Sequence, residues 1–495
     1  MGIIASGIRR FLPHILIGAF VLLGILTPSL TIGAVQAAAT WFLRVFDWLT
    51  LLVASGALIF CAGLAFSPIG DTRIGGEKAR PEFRTVTWLA MLFAAGMGAG
   101  LVVWGAAEPL IHTLVPPPGV GEAGSDAARR EALAITQFHW SVHAWSIYAV
   151  AALAVAVGAI KGSAILPSTP FQGAPTPVRR TIDWVTLIAV IFGLVASLGQ
   201  GAFQMGSGVS ELSQTLGLAK IQLGDGLGTQ MAILVLLTVA FMTSAAMGLR
   251  KGIAVLSNLN MVLSLMLAAF ILVVGPTGAI FHTFWESLLA YGEAFWRLST
   301  DIRPEGEGRA WTRGWSLTYF LWWVAWAPFV GVFVARISRG RRIREFILGV
   351  VLVPSFVTLV WFSILGGAAL HFDSAGIDLG VTDFATAQSA TYVVLAELPL
   401  AALSQLLTLL LVFVFLLTSA DSGAYVLAMF SSAKPDPEIA ERLYWGGVLA
   451  VLTGAALLSE GGQSVTRAFA VTGAIPLTLL LVVQAGAVLR HHLKA

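Results

Sequence analysis

Residues 322–328 read WWVAWAP. At about 100° per residue, Trp322, Trp323 and Trp326 fall on one arc of a helix about 100° wide, directly beside Pro328. Proline removes a backbone donor and weakens the helix that carries the rings. A lipid-exposed helix tolerates such a break poorly, whereas one lining a cavity can use it. A second interruption is expected in AAGMGAG, 94–100, where clustered glycines weaken the backbone for a different reason. The two stretches lie five apolar segments apart. Broken helices at corresponding places in two halves of a membrane chain, with a substrate site between them near the midplane, are the pattern of secondary transporters built from inverted repeats.

Composition supports a membrane setting. Of 495 residues, 57% are hydrophobic and 11% charged, against about 25% charged in soluble domains. Apolar runs of about 20 residues, the length a helical span needs, recur near 14–33, 49–67, 86–107, 134–159, 183–206, 229–249, 253–274, 314–336, 345–369, 398–430, 438–458 and 464–489. The expectation is an all-α polytopic membrane protein of about 12 transmembrane helices, with residues 1–495 forming one transmembrane domain. The first run has no small-residue cleavage site behind it and reads as a retained span. Residues 277–300 carry Phe281, Phe284, Trp285, Leu288 and Phe295 among polar residues, as an amphipathic helix on the outer surface would.

Basic residues fall in alternate loops, most densely in ARISRGRRIREF, 335–346, with Arg336, Arg339, Arg341, Arg342 and Arg344. The positive-inside rule then places both termini in the cytoplasm of a multi-pass cell (inner) membrane protein. One cysteine, Cys61, excludes an intrachain disulfide. The chain shows no cysteine nucleophile, metal-ligand cluster or nucleotide motif, so an enzyme is not expected. The lipid bilayer and a small molecule are the expected partners, and nucleic acid is not.

A second aromatic concentration lies in FHWSVHAWSIY, 138–148. Read as one helix, it places Trp140, Trp145 and Tyr148 on one arc, with His139 and His143 opposite. Ordinary packing accounts for either cluster alone. Two such clusters, one beside a predicted break, favour a cage for a quaternary ammonium group. Such a group has no N–H to donate, so ring faces select it by cation–π attraction of about 0.5–2 kcal/mol each.

With these stretches in view, GMGAGLVVWGAAEPL (96–110), FHWSVHAWSIY (138–148), WWVAWAPFVGVFVARISRGRRIREFILG (322–349) and LLTSADSG (416–423) together resemble the betaine/carnitine/choline transporter family. The resemblance implies a LeuT-like fold of two five-helix inverted repeats, 86–274 and 314–489, preceded by two extra helices, 14–67, and assembly as a homotrimer. It implies an aromatic box of Trp140, Trp145 and Tyr148 facing Trp323 and Trp326, with Trp322 on the cytoplasmic side of the pathway. Gly96, Met97, Gly98 and Gly100 match the unwound stretch whose amides meet the substrate carboxylate. Phe415, Thr418 and Ser419, with the carbonyls of Ala94 and Met97, match a sodium site. The plain alternative for Thr418 and Ser419 is a hydroxyl bonded to the preceding helical turn. Asp421, Glu108, His139 and His143 match family-like positions and are expected in helix-end or network roles.

Departures from the pattern carry expectations of their own. Gly100 stands where proton-coupled choline members carry aspartate, and 184–206 lacks the cation of sodium-independent carnitine exchangers. Val190 and Leu194 replace the threonines of a second sodium site, and Gln200 replaces an aliphatic residue. Osmotic activation through a long charged tail of the kind some members carry is not expected. The resulting expectation is no organic cofactor, sodium as coupling ion, and import of glycine betaine by alternating access. The alternatives are sodium-independent or proton-coupled transport of choline, carnitine, ectoine or a sulfonium analogue, or a membrane sensor without flux.

Overall fold

In the computed structural model the described residues run from 14 to 493, apart from 16, 21, 24–25, 97, 160–162, 219–225, 248–251 and 460, and their regular secondary structure is helical. The longer helices are α1 Pro28–Val45, α2 Asp47–Phe66, α3 Thr85–Gly96, α4 Ala99–Leu114, α5 Asp126–Trp140, α6 Val142–Val157, α7 Thr176–Thr215, α8 Leu227–Met247, α9 Gly252–Val274 and α10 Thr277–Thr300. After a short α11, Glu307–Thr312, follow α12 Thr318–Ile337, α13 Ile343–Ile347, α14 Val353–Ser374, α15 Ala390–Ala396, α16 Ala401–Ser432, α17 Ile439–Leu458 and α18 Gly462–Leu493. Helices satisfy their backbone groups internally, which is what lets apolar segments of this length enter a bilayer. Ser125 accepts a hydrogen bond from the Ala128 amide and starts α5, while Glu438 and Glu441 form a reciprocal cap on α17.

Among the described residues, eight helical stretches are long and apolar enough to cross a membrane, or up to nine if the α9–α10 pair, bent by 112°, counts as one span. That supports a polytopic membrane protein but falls short of the twelve spans expected. The reasons are local. The 86–107 run is split between α3 and α4, the 14–33 run lies partly outside the described residues, and α17 carries Glu441 and Arg442 near its start. Helix α10 has the expected two faces: Ile280, Ser287 and Ala290 are buried, while Phe281, Trp285 and Trp296 are exposed.

The breaks differ in part from expectation. Helix α3 ends at Gly96 and α4 begins at Ala99, with Gly98 extended (φ −134°, ψ 179°), as the glycine cluster suggests. Helix α12, in contrast, runs through Pro328 without interruption. The irregularity of this segment lies about three turns before Pro328, in a π-helical turn over Arg313–Leu317. A proline costs its own amide bond and crowds one carbonyl, and α12 carries it without ending. The 134–159 run is not one helix either: Ser141 (φ −102°, ψ −136°) separates α5 from α6. The hydroxyl of Thr358 donates to the Trp140 carbonyl at 3.2 Å beside that break.

Packing brings the two aromatic stretches together. Helix α6 lies along α12, α7 lies along both α16 and α18, and α4 packs on α5 and α14.

Candidate functional site

A cavity of about 140 Å³ opens between the glycine break and α12. Trp140, Tyr148, Trp322, Trp323 and Trp326 line it, and Gly98 and Gly100 form part of its wall. The ring of Trp323 is the hub. Its centroid lies 5.6 Å from that of Trp140, 4.9 Å from that of Tyr148 and 5.8 Å from that of Trp145. These edge-on and tilted pairs are favourable arrangements of ring quadrupoles.

Hydrogen bonds fix the indoles. Ser197 Oγ on α7 accepts from Trp326 Nε1 at 2.9 Å and from Trp322 Nε1 at 3.4 Å. On the opposite side, Glu108 Oε2 accepts from Trp140 Nε1 at 2.6 Å. Glu108 Oε1 is paired with His139 Nδ1 at 2.5 Å, and His139 Nε2 with Ser316 Oγ at 2.8 Å. A charge-assisted acceptor of this kind holds a donor about twice as strongly as a neutral one. The sequence reading found no metal-ligand cluster, yet the fold gathers Glu108, His112 and His139 with ligand atoms within 4.8 Å of one another.

The remaining expected residues distribute as follows. Trp145 is buried behind the wall, packed on Tyr148 and Trp323, and does not line the cavity. Gly96 ends α3, Ala94 lies in the same helix, and Met97 falls outside the described residues. A Cβ placed on Gly100 would lie 3.8 Å from both Trp104 Cδ1 and Trp140 Cη2, so this glycine borders the rings with room to spare. Ser419 lines the cavity, whereas the Thr418 hydroxyl donates into its own helix, to the carbonyls of Val414 at 2.9 Å and Phe415 at 3.0 Å.

Val190 and Leu194 are buried and offer no oxygen. Gln200 is engaged: its amide nitrogen donates to Thr466 Oγ1 at 2.6 Å, and its amide oxygen accepts from Gln388 at 3.0 Å. His143 contacts Tyr291 and Ser299, and Asp421 accepts from Ser244 Oγ at 2.5 Å.

Several cavity residues went unrecognised in the sequence. Trp104, Trp315, Tyr319 and Phe384 extend the aromatic wall, with ring centroids 5.6 Å apart for Trp104 and Tyr319 and 5.0 Å for Trp104 and Phe384. Arg467, near the start of the last apolar run, also lines it. Trp104 sits four residues after Gly100, one helical turn on, which was the available signal. Phe384 lies between helices and gave none.

The betaine/carnitine/choline family transporter model matches residues 10–494. The glycine betaine transporter OpuD of Bacillus subtilis is 37% identical over 474 residues, covering 94% of this chain and 90% of its own. The betaine/ectoine transporter LcoP of Corynebacterium glutamicum is 34% identical over 487 residues, covering 95% of this chain and 75% of its own. A glycine betaine/proline/choline transporter of Vibrio parahaemolyticus is 34% identical over 480 residues, covering 90% and 82%. The fold and the matches define a multi-pass membrane transporter. The chain belongs to the betaine/carnitine/choline transporter family.

Proposed function

We propose that the protein imports glycine betaine, coupled to sodium, by alternating access of two inverted repeats, 86–274 and 314–489, behind two extra helices at 14–67. The observation that carries this reading is the aromatic cavity itself: Trp140, Tyr148, Trp322, Trp323 and Trp326 face one space with the glycine break on its wall. A trimethylammonium group gains attraction from several ring faces at once, each worth more where water is excluded. Gly98 and Gly100 bring backbone close to the same space, where amides freed by the break serve a carboxylate. Glycine betaine supplies both ends, and relatives named for it align over nearly the whole chain.

The sodium ion enters as a cosubstrate. The candidate donors are Ser419 on the cavity wall, the Thr418 hydroxyl, which bonds the Phe415 carbonyl, and the carbonyl of Ala94; Met97, the further donor that the family pattern implies, lies outside the described residues. Oxygen donors suit a hard cation. A second sodium ion at Val190 and Leu194 has no ligand there. The assembly is read as a homotrimer in the cell (inner) membrane, with both termini cytoplasmic.

Choline and ectoine occur in the names of relatives, so the test includes them. Purified protein in proteoliposomes is given labelled glycine betaine, choline, carnitine and ectoine, each under an inward sodium gradient and with potassium in its place. Sodium-dependent accumulation of unaltered glycine betaine is expected. Accumulation of none of the four, with binding retained, would favour a sensor.

A further inference from the structure

Among the described residues that line the cavity, Arg467 is the one with a formal charge. Its guanidinium carbon lies 5.0 Å from the centroid of the Phe384 ring. No hydrogen bond or ion pair to the guanidinium is found among the described residues, and Tyr319 is the titratable group within electrostatic reach. Taking a cation out of water without a partner is costly, so an arginine kept in this position calls for an anion. Glycine at position 314 leaves the guanidinium uncrowded: even a Cβ there would lie 3.9 Å from Arg467 Nη2.

A second observation lies beside it. Tyr319 lines the same cavity and is 8% exposed, while its hydroxyl oxygen is buried on the Glu108 side. Glu108 is near enough to act on Tyr319 electrostatically, but it is fully buried, does not line the cavity, and is occupied by Trp140 and His139. The cavity therefore presents one cation beside a wall of rings. The rings run from Phe384 through Trp104 and Tyr319 to Trp140, with centroids 5.0, 5.6 and 5.5 Å apart in that order.

We propose that Arg467 sets the charge selectivity of the cavity: together with the amides of the glycine break it receives the carboxylate of a zwitterionic substrate, and its charge rejects quaternary ammonium cations that lack one. The proposal rests on the reading of this cavity as the transport site. A guanidinium pairs with a carboxylate through two parallel N–H donors, a geometry that a lysine ammonium does not reproduce. Cation–π attraction alone separates glycine betaine from choline poorly, because both carry the same trimethylammonium head. A fixed positive charge on the wall separates them by sign, attracting one tail and repelling the other molecule as a whole.

The test is uptake efficiency of glycine betaine and of choline in proteoliposomes, for the parent, Arg467→Gln and Arg467→Lys. Arg467→Gln is expected to lower the betaine-to-choline ratio by at least about tenfold (about 1.4 kcal/mol), through a fall for betaine with choline unchanged or improved. Arg467→Lys is expected to fall between. An equal loss for both substrates, or an unchanged ratio, would overturn the assignment while leaving betaine transport standing. A parent that takes up neither substrate would overturn the transport reading and this assignment together. Binding to the parent gives a measure independent of variant folding: glycine betaine methyl ester, which keeps the ammonium and lacks the negative charge, is expected to bind at least about tenfold more weakly than glycine betaine. Equal binding of acid and ester would also overturn the proposal.

Discussion

Trp140 donates its indole N–H to the carboxylate of Glu108 across 2.6 Å, joining two buried residues 32 positions apart in sequence. The bond ties a cavity ring on α5 to α4, the helix that follows the glycine break. Glu108 thereby acts on the cavity without lining it, by holding Trp140 and His139 in place.

Replacing Glu108 separates that positioning role from simple packing. Glu108→Ala leaves the Trp140 and His139 donors unpaired in a buried site, a penalty of about 1–3 kcal/mol for each group, and is expected to lower the melting temperature and the affinity for betaine together. Glu108→Gln keeps a carbonyl acceptor at lower strength. One of the two groups then faces the amide NH2 instead of an acceptor, so this variant is expected to melt between the parent and Glu108→Ala and to bind betaine several-fold more weakly, measured by thermal denaturation and ligand titration on the same preparation. Parent-like betaine affinity in both variants would remove Glu108 from any part in the site.

Gly100 offers a test of proximity. The space around it accepts a side chain, with Trp140 and Trp104 at 3.8 Å from the added Cβ. Gly100→Asp is expected to place a titratable carboxylate beside the rings and make uptake depend on external pH, checked by initial rates between about pH 5 and 8. Full activity with no pH dependence would contradict its placement on the pathway.

How much of this was legible in the sequence depended on whether chemistry was local. The break at 96–98 follows from glycines that weaken helix on their own. Pro328 misled, because whether a proline interrupts a helix is settled by the neighbours that absorb its lost bond. Ser141 gave no warning at all: nothing in HWSVH demands a break. Two aromatic clusters were readable from ring spacing and the family resemblance paired them, but only the fold showed that Trp145 packs behind the cavity wall, since an arc on a helical wheel does not say what lies opposite. Arg467 and Phe384 belong to no local pattern, and their meeting is a product of chain topology.

Coupling is tested on α16. The double variant Thr418→Ala, Ser419→Ala is expected to lose most sodium-stimulated uptake, and the parent is expected to show a hyperbolic rather than sigmoidal dependence on sodium concentration. Buried Val190 and Leu194 give no oxygen for a second ion, and the Gln200 amide is already bonded to Thr466 and Gln388. A clearly sigmoidal curve would require a second site elsewhere, and uptake unchanged when potassium replaces sodium would end the case for sodium coupling.

The central claim is that the ring-lined cavity binds the quaternary ammonium group, and calorimetric titration of glycine betaine into the purified parent, Trp326→Leu, Trp326→Phe and Trp140→Leu tests it most directly. Each ring face is worth about 0.5–2 kcal/mol, so each leucine variant is expected to bind about 2- to 30-fold more weakly. Trp326→Phe is expected to retain part of the affinity, because it keeps a ring while losing the indole bond to Ser197. Leucine variants that are folded and bind glycine betaine as tightly as the parent would contradict the account.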